Sequence, residues 1–139
     1  MKRRIQLSNT AMESVNSIWP AKKIKLNDRI KIYKSIIKSV LTYNYATWGL
    51  TKAQTEELDR AHRKKLRKVT RNPFMKNKRL YEITKETPLS EQMRQARWRL
   101  LGHILRLDRN TPCQKAVDHY FEVPECAKNI QTKRGQHYQ

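Results

Sequence analysis

Hydrophobic residues recur along this chain at three-and-four spacing, the signature of amphipathic helices. A first helix is predicted over 2–19, with Ile5, Met12, Val15, Ile18 and Trp19 as apolar points, stopped by Pro20. The second is the most regular. Asn27 suits an N-cap and Asp28 the first turn. Ile30, Tyr33, Ile36, Ile37, Val40, Leu41, Asn44, Tyr45 and Trp48 then share one side, Lys31, Lys34 and Lys38 the other, and Gly49 ends it. The stretch 39–48, rich in Val, Tyr and Trp, also fits a strand.

A third helix opens at Thr51 with Gln54 three residues on, a capping-box pattern. Leu58, Ala61, Leu66 and Val69 form its narrow apolar stripe, and Asn72-Pro73 closes it. A short helix is predicted over 78–85 and a long one over 90–109. Thr111-Pro112 has the order that opens another, through Phe121. From Val123 polarity rises and periodicity fades, which predicts a flexible basic tail over 123–139. The fold class expected is all-α: a small irregular bundle of four to five helices over 1–122, with its first helix, 1–20, loosely attached. The expected core is Trp19, Ile37, Val40, Leu41, Trp48, Leu58, Leu66, Leu100, Leu101 and Ile104.

Composition narrows the function classes. Leu, Ile, Val and Phe make up about 21% of the 139 residues, enough for a modest core against strong self-repulsion. With 31 Lys and Arg against 12 Asp and Glu, the net charge is +19. Such a surplus calls for a polyanion, nucleic acid first and an anionic membrane surface second. No apolar run is long enough to span a bilayer, and with nucleic acid the better match to so much charge, no membrane is expected as partner. The start, Met1-Lys2-Arg3-Arg4, lacks the apolar stretch of a secretory signal, and two cysteines cannot staple a secreted scaffold. An intracellular location, nuclear or cytoplasmic, is expected.

The charge is concentrated. Residues 60–79 hold ten Lys and Arg and no acid. On a helix Arg60, Arg63, Lys64, Arg67 and Arg71 share a side with Lys68 beside them. Glu56 and Asp59 can pair with Arg60 and Arg63. The i,i+4 pairs 60–64, 63–67, 64–68 and 67–71 are all like-charged, at ~0.2–0.5 kcal/mol each. A phosphate chain along this face would relieve that repulsion. A second candidate contact line lies on the long helix, where Arg99, Gly102, Arg106 and, at the edge, His103 face away from a wide apolar arc. Gly102 costs ~0.8–1 kcal/mol inside a helix relative to Ala. Either a close helix approach or an open backbone patch between Arg99 and Arg106 would need it. Arg97 falls inside the apolar arc and must reach outward or find an acid.

Catalytic chemistry is not legible. No carboxylates cluster as two-metal catalysis requires, and with Gly49, Gly102 and Gly135 alone there is no Gly-rich phosphate loop. Cys113, His119, Cys126 and His137 are spaced too loosely for a common zinc module. No catalytic residue, metal site or cofactor is expected in this chain.

Five segments nonetheless carry a family resemblance: Ser17-Ile18-Trp19, Lys31-Ile32-Tyr33-Lys34-Ser35, Val40-Leu41-Thr42-Tyr43 with Ala46-Thr47-Trp48, His62-Arg63-Lys64-Lys65-Leu66-Arg67, and Arg97-Trp98-Arg99-Leu100-Leu101-Gly102-His103-Ile104-Leu105-Arg106. In this order they resemble the thumb and following segment of reverse transcriptases from non-LTR, LINE-type, jockey-like retrotransposons, with a weaker echo at Lys133-Arg134-Gly135. One departure is Asn44, where the family usually has Gly after the tyrosine. The resemblance implies a parent RNA-directed DNA polymerase, often with an upstream endonuclease, using Mg. This chain would be a distal fragment without the catalytic palm, its helical domain 1–122 thumb-like, whose missing partners are palm and fingers and whose ligand is the backbone of a template–primer or of RNA. Two alternatives stay open: a stand-alone basic helical architectural or ribonucleoprotein component, and a non-functional retroelement remnant.

Overall fold

The computed structural model describes residues 1–122. They are all-α, with no strand among the described residues. The tail predicted over 123–139 lies outside them. Among the described residues there are six helical segments, the short fourth one included as predicted. They are α1 (Lys2–Ser14), α2 (26–41), α3 (Lys52–Thr70), α4 (Asn77–Thr84), α5 (Leu89–Ile104) and α6 (Pro112–Glu122). The chain divides into two compact units, Met1–Arg97 and Trp98–Gln139.

In the first unit, α1 is shorter than its apolar points predict and ends in a 3-10 turn over Asn16–Ile18. That turn sends Trp19 inward, where its indole Nε1 donates to the Met12 carbonyl at 3.2 Å. The expectation of a loosely attached first helix is corrected: Ser8 and Met12 are buried, and Ile5 packs on the core. Ser8 is small enough for close packing and satisfies its own hydroxyl on the Ile5 carbonyl at 2.7 Å. A polar residue thus completes a face whose apolar points alone were sparse.

Within α2, an α-helical start over Leu26–Ile32 widens into a π-helical stretch, Tyr33–Lys38, and closes with Ser39–Leu41. The wider turn brings Tyr33, Ile37 and Leu41 into one buried line and turns Ile36 outward. It also sets Lys34 and Lys38 side by side. The helix stops seven residues before the predicted Trp48, at a break where Asn44 takes a left-handed conformation, φ 55°. Asn is one of the few side chains that tolerates this region, the one Gly would adopt freely. The strand alternative over 39–48 falls with the same observation, since Tyr45–Thr47 forms a 3-10 turn.

The start of α3 is as predicted. Thr51 Oγ1 accepts from the Gln54 amide at 3.3 Å while Gln54 Oε1 accepts from the Thr51 amide at 3.0 Å. Leu58, Leu66 and Val69 are buried, and α4 adds Leu80. One core cluster joins Met12, Trp19, Ile30, Tyr33, Ile37, Leu66, Val69 and Leu80; a second joins Leu41, Leu58 and Leu89. Of the expected core, Val40 and Trp48 are only half-buried.

The long helix α5 ends at Ile104, five residues before the predicted Arg109, in tight turns such as Arg106 N–H to His103 O at 3.1 Å. The unit boundary falls within it. In the first unit it buries Leu89 and Met93, and Arg97 donates to the Trp48 carbonyl. That contact answers where Arg97 goes. In the second unit Leu100, Leu101 and Ile104 are half-buried, not core as expected, and Trp98 is 66% exposed.

Candidate nucleic-acid interface

The basic face of α3 is built from below by its apolar stripe. Leu58, Leu66 and Val69 anchor one side of the helix, so the opposite side must face solvent. There Arg60, Lys64, Arg67, Lys68 and Arg71, with Pro73, line an open groove of about 600 Å3. Five of the six residues predicted on this face therefore come together. The sixth, Arg63, is not among the lining residues. It is half-buried and lies against Tyr81. Burial pushes the Tyr81 phenol up, and Arg63 pulls it back.

The five differ in how they are held. Arg67 is fixed, Nε donating to the Met75 carbonyl at 3.2 Å and Nη2 to Asn77 Oδ1 at 2.6 Å. Arg71 caps α3 in a left-handed conformation, φ 58°. Its Nε donates to the Trp19 carbonyl at 2.5 Å and its Nη2 to the Ala21 carbonyl. It staples the α1–α2 connection to the end of α3, a role the charge pattern did not predict. Arg60, Lys64 and Lys68 are exposed, and among the described residues no acid forms an ion pair with them. Asp59, expected to pair with Arg63, instead accepts from the Ser90 amide at 3.0 Å and its hydroxyl at 2.6 Å, satisfying the first turn of α5. The ridge is thus less neutralised than its sequence suggested.

Behind the ridge, Lys64, Lys65 and Lys68 help line a second hollow of about 350 Å3 between α1 and α3, where Glu13 is the one carboxylate. Lys65 was counted with the surface charges but is buried, its Nζ donating to Asn9 Oδ1 at 2.8 Å. Burial, helped by the Lys64 charge, lowers its ammonium to about 8.

A buried polar cluster lies beneath the ridge, and sequence reasoning missed it. Tyr33 Oη and His62 Nδ1 are 2.6 Å apart, and His62 Nε2 is 3.9 Å from Glu86 Oε2. Glu86 in turn accepts from Lys38 at 2.6 Å and from Gln92 at 3.1 Å, with Lys34 Nζ at 3.1 Å. Burial dominates at His62 and lowers its imidazole to about 4. The ring is therefore neutral near pH 7, and the contact with Glu86 is not an ion pair. The tautomer sets which of Tyr33 and His62 donates in their hydrogen bond, and Nε2, at 3.9 Å from the carboxylate, makes no hydrogen bond among the described residues. Burial pushes Glu86 up, but Lys38 and Lys34 hold its carboxyl below the ordinary range. The clue was positional: His62 falls in register with Leu58, Leu66 and Val69 on the apolar stripe.

The second predicted contact line belongs to the second unit. Arg99, His103 and Arg106 are exposed and Gly102 half-buried. Arg106 lies beyond the end of α5 and folds back over Gly102. Among the described residues a Cβ placed on Gly102 would meet only Arg106 Nη1, at 3.6 Å, an ordinary contact, and no close helix approach requires the glycine. Gly102→Ala is therefore expected to stabilise the protein by ~0.8–1 kcal/mol in chemical denaturation. A loss of stability would show that the position needs glycine after all.

Among the described residues, no three of His, Cys, Asp and Glu come together to hold a metal. Cys113 is free and exposed, while Cys126 and His137 lie outside the described residues. Among the described residues no helix is long and apolar enough to cross a membrane. Comparison with family models, with curated proteins and with solved structures gave no match.

Proposed function

We propose that this chain binds the phosphate backbone of RNA or DNA along the α3 groove, as a thumb-like piece of a non-LTR retrotransposon reverse transcriptase. One observation carries the reading: a groove walled by Arg60, Lys64, Arg67, Lys68 and Arg71, in which three exposed cations have no acid partner among the described residues. Concave walls of one sign focus the field and favour a rod-like polyanion lying between them. Contacts of this kind position a nucleic acid and carry no sequence code. Arg99 and Arg106 supply further phosphate contacts from the second unit, with Gly102 and His103 beside them.

The retrotransposon assignment rests on the ordered segments, above all Arg97–Arg106. The conformation of Asn44 is in keeping with it, since the residue stands where the family usually has Gly and takes the backbone that Gly favours. The palm, fingers and any endonuclease would belong to other parts of the parent protein, and the setting would be a nuclear or cytoplasmic ribonucleoprotein. The Mg of such a polymerase has no group of carboxylates to hold it among the described residues. No catalytic step is assigned to this chain, which alone is expected to give no primer extension.

A salt titration tests the grip. If about six phosphates are neutralised, log K for an oligonucleotide falls against log salt with a slope of roughly −4 to −5. A slope near zero overturns backbone binding.

A further inference from the structure

We propose that Phe74 is a stacking platform for an unpaired nucleobase, so that the α3 groove takes single-stranded nucleic acid in preference to duplex. The proposal rests on the backbone-binding reading and adds a ligand class to it. Phe74 is 93% exposed. A lone exposed apolar side chain needs no explanation. What distinguishes this one is where it stands and how firmly it is presented.

It directly follows Pro73, which lines the groove. The connection from α3 to α4 that carries it is hydrogen-bonded on both sides of Pro73. The Asn72 amide donates to the Arg67 carbonyl at 3.2 Å, and Asn72 Oδ1 accepts from the Phe74 amide at 3.2 Å. Arg67 holds the Met75 carbonyl, and the Met75 side chain packs on the core. Pro73 fixes its own φ. The ring is thus exposed to water on a hydrogen-bonded loop, next in sequence to the groove-lining Pro73, with Lys76 and Lys78 following.

A base of a single strand offers an apolar face to such a ring while its phosphates run along the cations; in a duplex those faces are already stacked. Charge decides against a second copy of the chain as occupant, because each copy carries +19. Shape argues against a lipid surface. A plane of headgroups meets the rim of a groove and not its walls, whereas a chain of phosphates lies inside it.

The experiment compares wild type, Phe74→Ala and Phe74→Trp for binding to a 12-nucleotide single strand carrying one 2-aminopurine, to a duplex of the same length, and to phosphatidylcholine vesicles containing phosphatidylserine. Phe74→Ala is expected to weaken single-strand binding about tenfold. It should abolish 2-aminopurine quenching and leave duplex affinity and salt slope unchanged, while Phe74→Trp retains both binding and quenching. Equal loss on single strand and duplex, or no loss on either, overturns the proposal. Loss on vesicles alone overturns it in favour of a lipid surface. Wild type with no salt-dependent oligonucleotide binding removes the underlying reading together with it, whereas salt-dependent binding indifferent to Phe74 removes the stacking step alone.

Discussion

Replacing Arg60, Lys64 and Lys68 together by Gln is expected to weaken oligonucleotide binding about a hundredfold at 0.1 M salt, with the fold intact. These three line the groove but carry no structural hydrogen bond or ion pair among the described residues, unlike Arg67 and Arg71, whose guanidiniums hold backbone carbonyls. Each lost phosphate contact removes ~0.7–0.9 from the salt slope, so three remove roughly 2–3. Binding lines for wild type and variant then converge near 1 M salt and diverge by about two powers of ten at 0.1 M. Stability should rise slightly, because the like-charged i,i+4 pairs 60–64 and 64–68 are relieved at ~0.2–0.5 kcal/mol each. Fluorescence anisotropy across a salt series, with a thermal melt as control, measures both. An unchanged affinity in a folded variant would remove the groove as the binding site.

The contrast between those three residues and Arg67 and Arg71 marks where the sequence stops being readable. Periodicity placed all of them on one face correctly, because a helix anchored by Leu58, Leu66 and Val69 has no other way to turn. Charge type could not say which guanidiniums have local carbonyls to hold. That depends on how the chain returns: Arg71 finds Trp19 and Ala21, some fifty residues away in sequence. Asp59 shows the same limit, since Arg63, the cation four residues on, lost it to the N-terminus of α5. Helix lengths failed where the backbone changes type. The π-helical stretch in α2 and the left-handed Asn44 leave the apolar spacing intact while the helix widens or ends. In α5 the wide apolar arc put Leu100, Leu101 and Ile104 in the expected core, yet they are half-buried and Trp98 stays largely exposed. Width of an arc records how many residues are apolar, not how many neighbours arrive to cover them. The polar cluster under the ridge was hidden for a different reason. His62 and Lys65 were read by chemical type, and burial of a polar residue becomes visible only when its partners, Tyr33 with Glu86 and Asn9, converge.

That cluster sets how the fold responds to acid. His62 titrates near 6.5 when unfolded and at about 4 when folded. Between those values the unfolded chain binds the extra proton, so stability is complete above pH 6.5 and declines as pH falls towards 4. The difference corresponds to about 3 kcal/mol. Glu86, held low by Lys38 and Lys34, adds to the loss at the acid end, since its stabilisation is present above the ordinary carboxylate range and fades as it protonates. Glu86→Gln should cost about 2–3 kcal/mol at pH 7, because Lys38 and Lys34 lose the buried charge they pair with. For a chain of this size that is a fall of about 10 °C in Tm. His62→Leu should be less stable at pH 7 for loss of the Tyr33 hydrogen bond, yet its stability should change little from pH 6.5 to 4.5 where wild type declines. Urea denaturation at half-unit pH steps separates the two effects. A wild-type decline that survives unaltered in His62→Leu would place the acid-sensitive group elsewhere.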